Sequence, residues 1–220
     1  MLHNPLGHSL SAARRADILK LAAKLDLVII EDFVYGFLGD TPPLAAEAPE
    51  RCLVVDSFSK RVAAGAAVGW LSVPSHLRDR VASVVRTGAW HVAPLALEIG
   101  ARMMTDGAAA EIGKLKRADA KLRQGIVAEY LKGFDTTADM RSYHVWLRLP
   151  DGWRSEAFTA AAARAGVSIT PSSAFAMAPG HAPNAVRLAL GLPSHGDLRT
   201  ALGRLSELLR VGPEASDITE

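Results

Sequence analysis

The chain has 220 residues, 49% of them hydrophobic and 22% charged, so it can bury a sizeable core. Its 18 Gly and 12 Pro are scattered rather than repeated, which excludes collagen-like and low-complexity structure. Lys plus Arg number 25 against 23 Asp plus Glu, a formal charge of +2, so nothing in bulk charge points to nucleic acid or a membrane surface. The single cysteine, Cys52, sits in an apolar run and excludes an internal disulfide, which fits a reducing compartment. No apolar stretch approaches the roughly 20 residues that span a bilayer. The start, MLHNPLGHSL, lacks a basic segment and an apolar segment, so the expectation is a cytoplasmic chain with no membrane partner.

Between Ser11 and Leu25, the residues Ile18, Leu21, Ala22 and Leu25 recur at helical spacing, with Arg14, Arg15, Asp17 and Lys24 on other faces. This predicts an amphipathic helix capped by Ser9 or Ser11. The run Leu27-Val28-Ile29-Ile30 reads as a strand covered on both faces and ends in Glu31-Asp32. Leu53-Val54-Val55 repeats the pattern and ends in Asp56-Ser57, and Val68 to Val73 reads as a third strand closed by Pro74. Helix, buried strand, loop, buried strand is the order of an α/β domain with a mostly parallel sheet, which binds ligands at the carboxyl ends of its strands.

From Ala93 to about Lys132 the chain reads as mostly helical, interrupted near Asp106-Gly107. Lys114, Lys116, Arg117, Lys121 and Arg123 are interleaved with Glu111, Asp119 and Glu129, the pattern of a solvated helix face. Strands are expected at Tyr143–Leu149, Val167–Thr170 and Ala185–Leu190, with helices at Ser155–Ala165 and Asp197–Leu209. Such short alternating units suggest a smaller α+β domain after the long helix. The expected division is therefore 1–105, a connecting helix over 106–132, a small domain over 133–212, and a flexible tail from 213 to 220. Trp146 and Trp153 are expected to pack that small domain. The histidines are too dispersed for a metal site.

Lys60 follows a strand and two serines and precedes Gly65 and Gly69, so it can stand at a strand mouth, where a partly desolvated lysine forms a Schiff base with an aldehyde. An exposed loop lysine is the plainer reading. Asp32 ends the neighbouring strand and Tyr35 follows three residues later, so a carboxylate and a phenol can converge on a group held by Lys60. Otherwise Asp32 is a turn residue and Tyr35 a core aromatic. Ser57 and Ser59 can donate to a phosphate.

Taken in order, Asn4-Pro5-Leu6-Gly7, Ser11 with Arg14-Arg15, Glu31-Asp32 with Tyr35, Pro42-Pro43-Leu44, and Ser57-Phe58-Ser59-Lys60 with Gly65, Gly69 and Trp70 resemble the aspartate-aminotransferase-like, fold-type-I pyridoxal-phosphate proteins. The resemblance implies a partial large α/β domain followed by a small α+β domain, with pyridoxal 5′-phosphate as cofactor. It makes Lys60 the cofactor-holding lysine and general acid/base, Asp32 the partner of the pyridinium nitrogen, Tyr35 and Asn4 donors to the ring oxygen, and Ser57 and Ser59 phosphate contacts. Arg187, in Asn184-Ala185-Val186-Arg187-Leu188, matches the arginine that grips a substrate carboxylate, as a planar guanidinium can; a structural ion pair is the other reading. Trp90 and His91 fall where the family's chain approaches the cofactor.

The wording of these motifs looks most like the effector domains of GntR/MocR-type transcription regulators, where the fold senses a ligand behind a DNA-binding domain. The resemblance thus implies an amino acid or related small carboxylate as ligand and a homodimer, with no DNA-binding segment in these 220 residues. An amino-acid aminotransferase and a degenerate scaffold that only dimerises are the alternatives. Two departures stand out. Ala67 occupies the place of the family's phosphate-gripping arginine, for which Arg61 is a conceivable substitute. The resemblance also covers only the latter part of the family's architecture, so exposed strand edges and weak cofactor binding are expected.

Overall fold

The computed structural model describes residues 2–88, 92–178 and 180–213. The expectations placed on Trp90 and His91, and nearly all of the tail from 213 onward, fall outside the described residues. Two compact units emerge, residues 9–117 and residues 2–8 together with those from 118 onward. The division falls inside a helix rather than at residue 105, and the Asn-Pro-Leu-Gly segment groups with the second unit.

In the first unit, α1 (Ala12–Lys24) starts at Ser11, whose Oγ accepts from the Arg14 N–H at 3.2 Å, one of the donors a helix start leaves unpaired. The strand β1 (Ile29–Asp32) runs parallel to β2 (Cys52–Ser57), with Ile29 opposite Cys52 and Asp32 opposite Val55. After the single turn α2 (Phe58–Arg61), β3 (Gly69–Ser72) returns antiparallel to β2, so this sheet is mixed. Then come α3 (Arg78–Gly88), which the periodicity did not announce, α4 (Pro94–Thr105) and α5 (Ala108–Tyr130).

Alternation along β2 buries Cys52, Val54 and Asp56 on one face. Cys52 packs with Leu44 and Ala48 against Leu19 of α1 and Ile29 of β1. Phe58, Val68 and Ala109 form a second cluster with Trp70. There α4 comes so close that a Cβ on Gly100 would lie 2.8 Å from the Phe58 ring.

The other face departs from expectation. Ile30 is 71% exposed, and Leu21 and Leu25, assigned to a buried helix stripe, are each 55% exposed. A strand covered on both faces needs layers on both, and among the described residues β1 pairs only with β2 and lacks cover over Ile30.

In the second unit, β4 (Thr136–Thr137), β5 (His144–Arg148), β7 (Ala185–Ala189) and β6 (Thr170–Pro171) form an antiparallel sheet in that spatial order. Val145 and Leu147 lie opposite Leu188 and Val186, and all four join a core with residues of α6 (Ser155–Arg164) and α7 (His195–Val211). Trp146 and Arg187, the pair between them, therefore project from the opposite face.

Two residues expected on a solvated helix face are instead tied down by carbonyls and acids, Arg117 while still partly exposed. The Arg117 guanidinium donates to the Phe37 and Gly39 carbonyls and to Asp40. Arg123 is buried and donates to Asp119 and to the carbonyls of Leu190 and Pro193. The charge pattern alone does not distinguish a solvated arginine from one that gathers loop carbonyls.

Candidate active site

The ordered motifs separate into residues that hold the fold and residues that are left for chemistry. Arg15 is buried, donating to the Pro42 carbonyl at 2.9 Å and to Glu47 at 3.1 Å, with Glu31 at 3.9 Å. Glu31 in turn accepts the Leu44 N–H at 2.6 Å. Arg15, Glu31 and the Pro-Pro-Leu turn therefore lash α1, β1 and the loop after β1 together. These are structural parts of the motif set.

Beside Glu31, the next residue faces the other way. Asp32 is exposed at the carboxyl end of β1, with one carboxylate oxygen accepting the Val34 N–H at 3.1 Å. Tyr35, half-buried, opens the following turn. That turn demands glycine at position 36, where a Cβ would fall 2.0 Å from the Phe33 ring.

Because β1 and β2 are parallel neighbours, the residues after β2 emerge at the same end of the sheet as Asp32. Ser57 ends β2, and its hydroxyl lies 2.7 Å from that of Ser59. Both serines are half-buried, whereas Lys60 is exposed at the end of α2. The desolvation expected of a strand-mouth lysine is absent among the described residues, so Lys60 is reachable rather than enclosed. Its own carbonyl accepts from the Lys116 ammonium at 2.8 Å.

Arg61 does not take the place of the phosphate arginine. Its Nη2 lies 2.9 Å from Asp56 Oδ2, and its guanidinium stands 5.5 Å from the Phe37 ring centre and 6.0 Å from that of Trp70. Asp56 is buried, and its other oxygen accepts the Ser57 N–H at 2.7 Å. Burial pushes the Asp56 carboxyl above the ordinary range, opposed by the Ser57 N–H and by Arg61. Arg61 thus serves a buried acid and fixes the backbone from which Ser57 and Lys60 project. Ala67 is exposed and carries no charge to replace it.

In the second unit, Asn4 and Arg187 meet. Arg187 Nη1 donates to Asn4 Oδ1 at 3.1 Å and Nη2 to Thr170 Oγ1 at 3.1 Å, while the Phe175 ring centre lies 4.9 Å from the guanidinium carbon. Since Asn4 spends its oxygen on Arg187, its Nδ2 hydrogens are the part left to donate outward. Arg187 has no carboxylate partner among the described residues, which disfavours the structural ion-pair reading. Thr170 and Phe175 were not singled out in the sequence. The signal was the strand register that sets Thr170 opposite Arg187, and it becomes visible only once β6 and β7 are paired.

The donor set suits pyridoxal phosphate in kind: an accessible amine, an acid at the neighbouring strand end, and two hydroxyls held together. It is weak in positive charge for a phosphate.

Comparison with known proteins places these features. The model of the family "Aminotransferase class I and II" matches residues 1–205. The uncharacterized HTH-type transcriptional regulator YdeF of Bacillus subtilis is 26% identical over 193 residues, 87% of this chain and 42% of the regulator. The mitochondrial kynurenine/alpha-aminoadipate aminotransferase of Bos taurus is 34% identical over 94 residues, 40% of this chain and 22% of that enzyme. The chain thus spans less than half the length of these curated relatives.

Among solved structures, the alpha-aminoadipate aminotransferase LysN of Thermus thermophilus, complexed with N-(5′-phosphopyridoxyl)-L-leucine, superposes with a TM-score of 0.83 at 21% identity. The match covers 95% of this chain and 57% of that one, and shows a shared fold. Pyridoxal phosphate is accordingly the cofactor the family supports. The chain belongs to the class I and II aminotransferase family.

Proposed function

We propose that this chain is the pyridoxal-phosphate-binding part of a GntR/MocR-type regulator, in which the aminotransferase fold senses an amino acid or related carboxylate. The observation that carries the reading is that parallel β1 and β2 deliver Asp32 and the Ser57–Lys60 segment to the same end of one sheet. The likeness to the regulator YdeF over 87% of this chain supports the sensing role. The second unit is, on this reading, the family's small α+β domain, and the protein acts as a homodimer in the cytoplasm.

When bound, pyridoxal phosphate supplies an aldehyde that an amine can capture and a pyridine ring that withdraws electrons. This chain's own residues account for the rest. Lys60 offers Nζ as the amine and as the site where a proton is held or released. Asp32, with one oxygen on the Val34 N–H, would offer its second oxygen to a ring N–H and favour its protonated form. Tyr35 would donate its phenol hydrogen to a ring oxygen, and the Ser57–Ser59 pair would offer a phosphate oxygen the one hydroxyl hydrogen that their mutual bond leaves over. Asn4 Nδ2 is a donor of the type a ring oxygen accepts, and Arg187 is a receptor for a carboxylate.

An amino-acid aminotransferase is the second reading, favoured by the 34% identity to the bovine enzyme over 94 residues. The test is an absorption titration with pyridoxal phosphate, followed by borohydride reduction and peptide mapping. A reducible adduct on Lys60, absent in Lys60→Ala, supports the site, and labelling spread over surface lysines rejects it. Stoichiometric conversion to the pyridoxamine form on adding amino acids marks the enzyme, and binding without conversion marks the sensor.

A further inference from the structure

The Arg187 guanidinium has five N–H hydrogens, and the structure accounts for three of them. One on Nη1 goes to Asn4 and one on Nη2 to Thr170, while Nε is buried with no partner. With Nε shut away, a carboxylate is received end-on, across Nη1 and Nη2. The guanidinium carbon lies over the Phe175 ring, 4.9 Å from its centre, and Phe175 is itself packed edge-on with Trp146, ring centres 6.2 Å apart, so an aromatic wall backs the arginine.

Thr170 stands directly opposite Arg187 in the β6–β7 register, half-exposed, and its oxygen accepts from Nη2. Among the described residues nothing accepts its own hydroxyl hydrogen. A hydroxyl that accepts from a cation is polarised into a better donor, and this one lies at the very nitrogen an end-on carboxylate would approach.

We propose that Thr170 is a positioning and specificity residue of the Arg187 receptor, orienting Nη2 and adding its hydroxyl hydrogen as a third donor to the ligand's carboxylate. The proposal rests on the reading of Arg187 as a carboxylate receptor and extends it. The edge strand β6 is only two residues long and Thr170 is half-exposed, so substitution there leaves the core cluster of α6, α7, β5 and β7 intact.

The test uses the 220-residue chain and the guanidinium NMR signals of Arg187, identified by their loss in Arg187→Lys. They are titrated with 4-methylpentanoate and, as the uncharged control, 4-methylpentanamide. The expected result is a saturable shift with the carboxylate only, weakened about tenfold or more in Thr170→Val and restored to within about twofold of wild type in Thr170→Ser. Thr170→Ala provides the same comparison should valine alter the amide spectrum of β6. Equal affinity in wild type and Thr170→Val overturns the role of Thr170 and leaves Arg187 standing. Serine as weak as valine shows that the hydroxyl is not the operative group and likewise overturns it. No saturable shift in wild type overturns the carboxylate reading of Arg187 and this inference with it.

Discussion

Arg61 reaches back five residues to Asp56, Nη2 to Oδ2 at 2.9 Å, and so closes a buried ion pair directly beneath Ser57 and Lys60. Removing the arginine strands a buried carboxylate. Arg61→Met is expected to cost about 3 kcal/mol at neutral pH, read as a lowered denaturant midpoint.

The same pair sets a pH signature. Burial holds the Asp56 carboxyl above its ordinary value, so the folded state binds its proton more tightly than the unfolded one. Such a group subtracts stability as pH rises from the ordinary aspartate range through the raised value. The Arg61→Met penalty should therefore shrink on acidification, once Asp56 is protonated. A penalty that is the same at pH 7 and pH 4 contradicts this.

Asp119 behaves in the opposite sense. Burial pushes its carboxyl up, but hydrogen bonds from Arg123, His195 and Tyr143 at 2.7, 2.8 and 2.8 Å outweigh this and hold it below the ordinary range. Burial, with the Asp119 contact second, pushes the Tyr143 phenol well above its usual range. Stability from Asp119 is present above the unfolded aspartate value and lost as pH falls through the folded one. Asp119→Asn should cost about 2 kcal/mol at pH 7 and flatten the acid limb of the stability curve, measured by urea unfolding between pH 7 and 3.

Cofactor phosphate should be the weak point of the site. Ala67→Arg places a guanidinium in the loop between Gly65 and Gly69, where the chain now has none. Binding of pyridoxal phosphate is expected to tighten about tenfold, with pyridoxal unchanged, in paired absorption titrations. An equal gain for both ligands would show that the new arginine acts elsewhere.

Gly7 has φ of 67°, and a Cβ there would sit 3.1 Å from the His144 carbonyl oxygen. Gly7→Ala should cost about 1–2 kcal/mol and loosen the Asn4 end of the segment, read as a lower melting temperature.

The open edge of β1 is a pairing template. Ile30→Lys, at a position already 71% exposed, should reduce concentration-dependent self-association in sedimentation without lowering the melting temperature.

Much of this was legible in the chain itself because burial writes period-two and helical patterns into sequence. The strands at Cys52–Ser57, His144–Arg148 and Ala185–Ala189 lie within two residues of where apolar runs placed them. β1 was shifted by two residues, since Leu27 and Val28 are apolar but exposed and Glu31 and Asp32 belong to the strand. Lys60, Asp32, Ser57 and Ser59 stood out as polar residues ending apolar runs. The work of Arg15, Arg61, Arg117 and Arg123 did not, because an arginine's partners here lie up to 80 residues away and carbonyls carry no sequence signal.

Asn4 and Arg187 touch across 183 positions, and residues 2–8 belong to the unit that is otherwise built from 118 onward. During synthesis residues 9–117 emerge while residues 2–8 still lack their docking strands. Residues 2–8 leave the ribosome ahead of β5 and β7 and stay undocked until both have followed, so the unit that carries Arg187 closes after the intervening one.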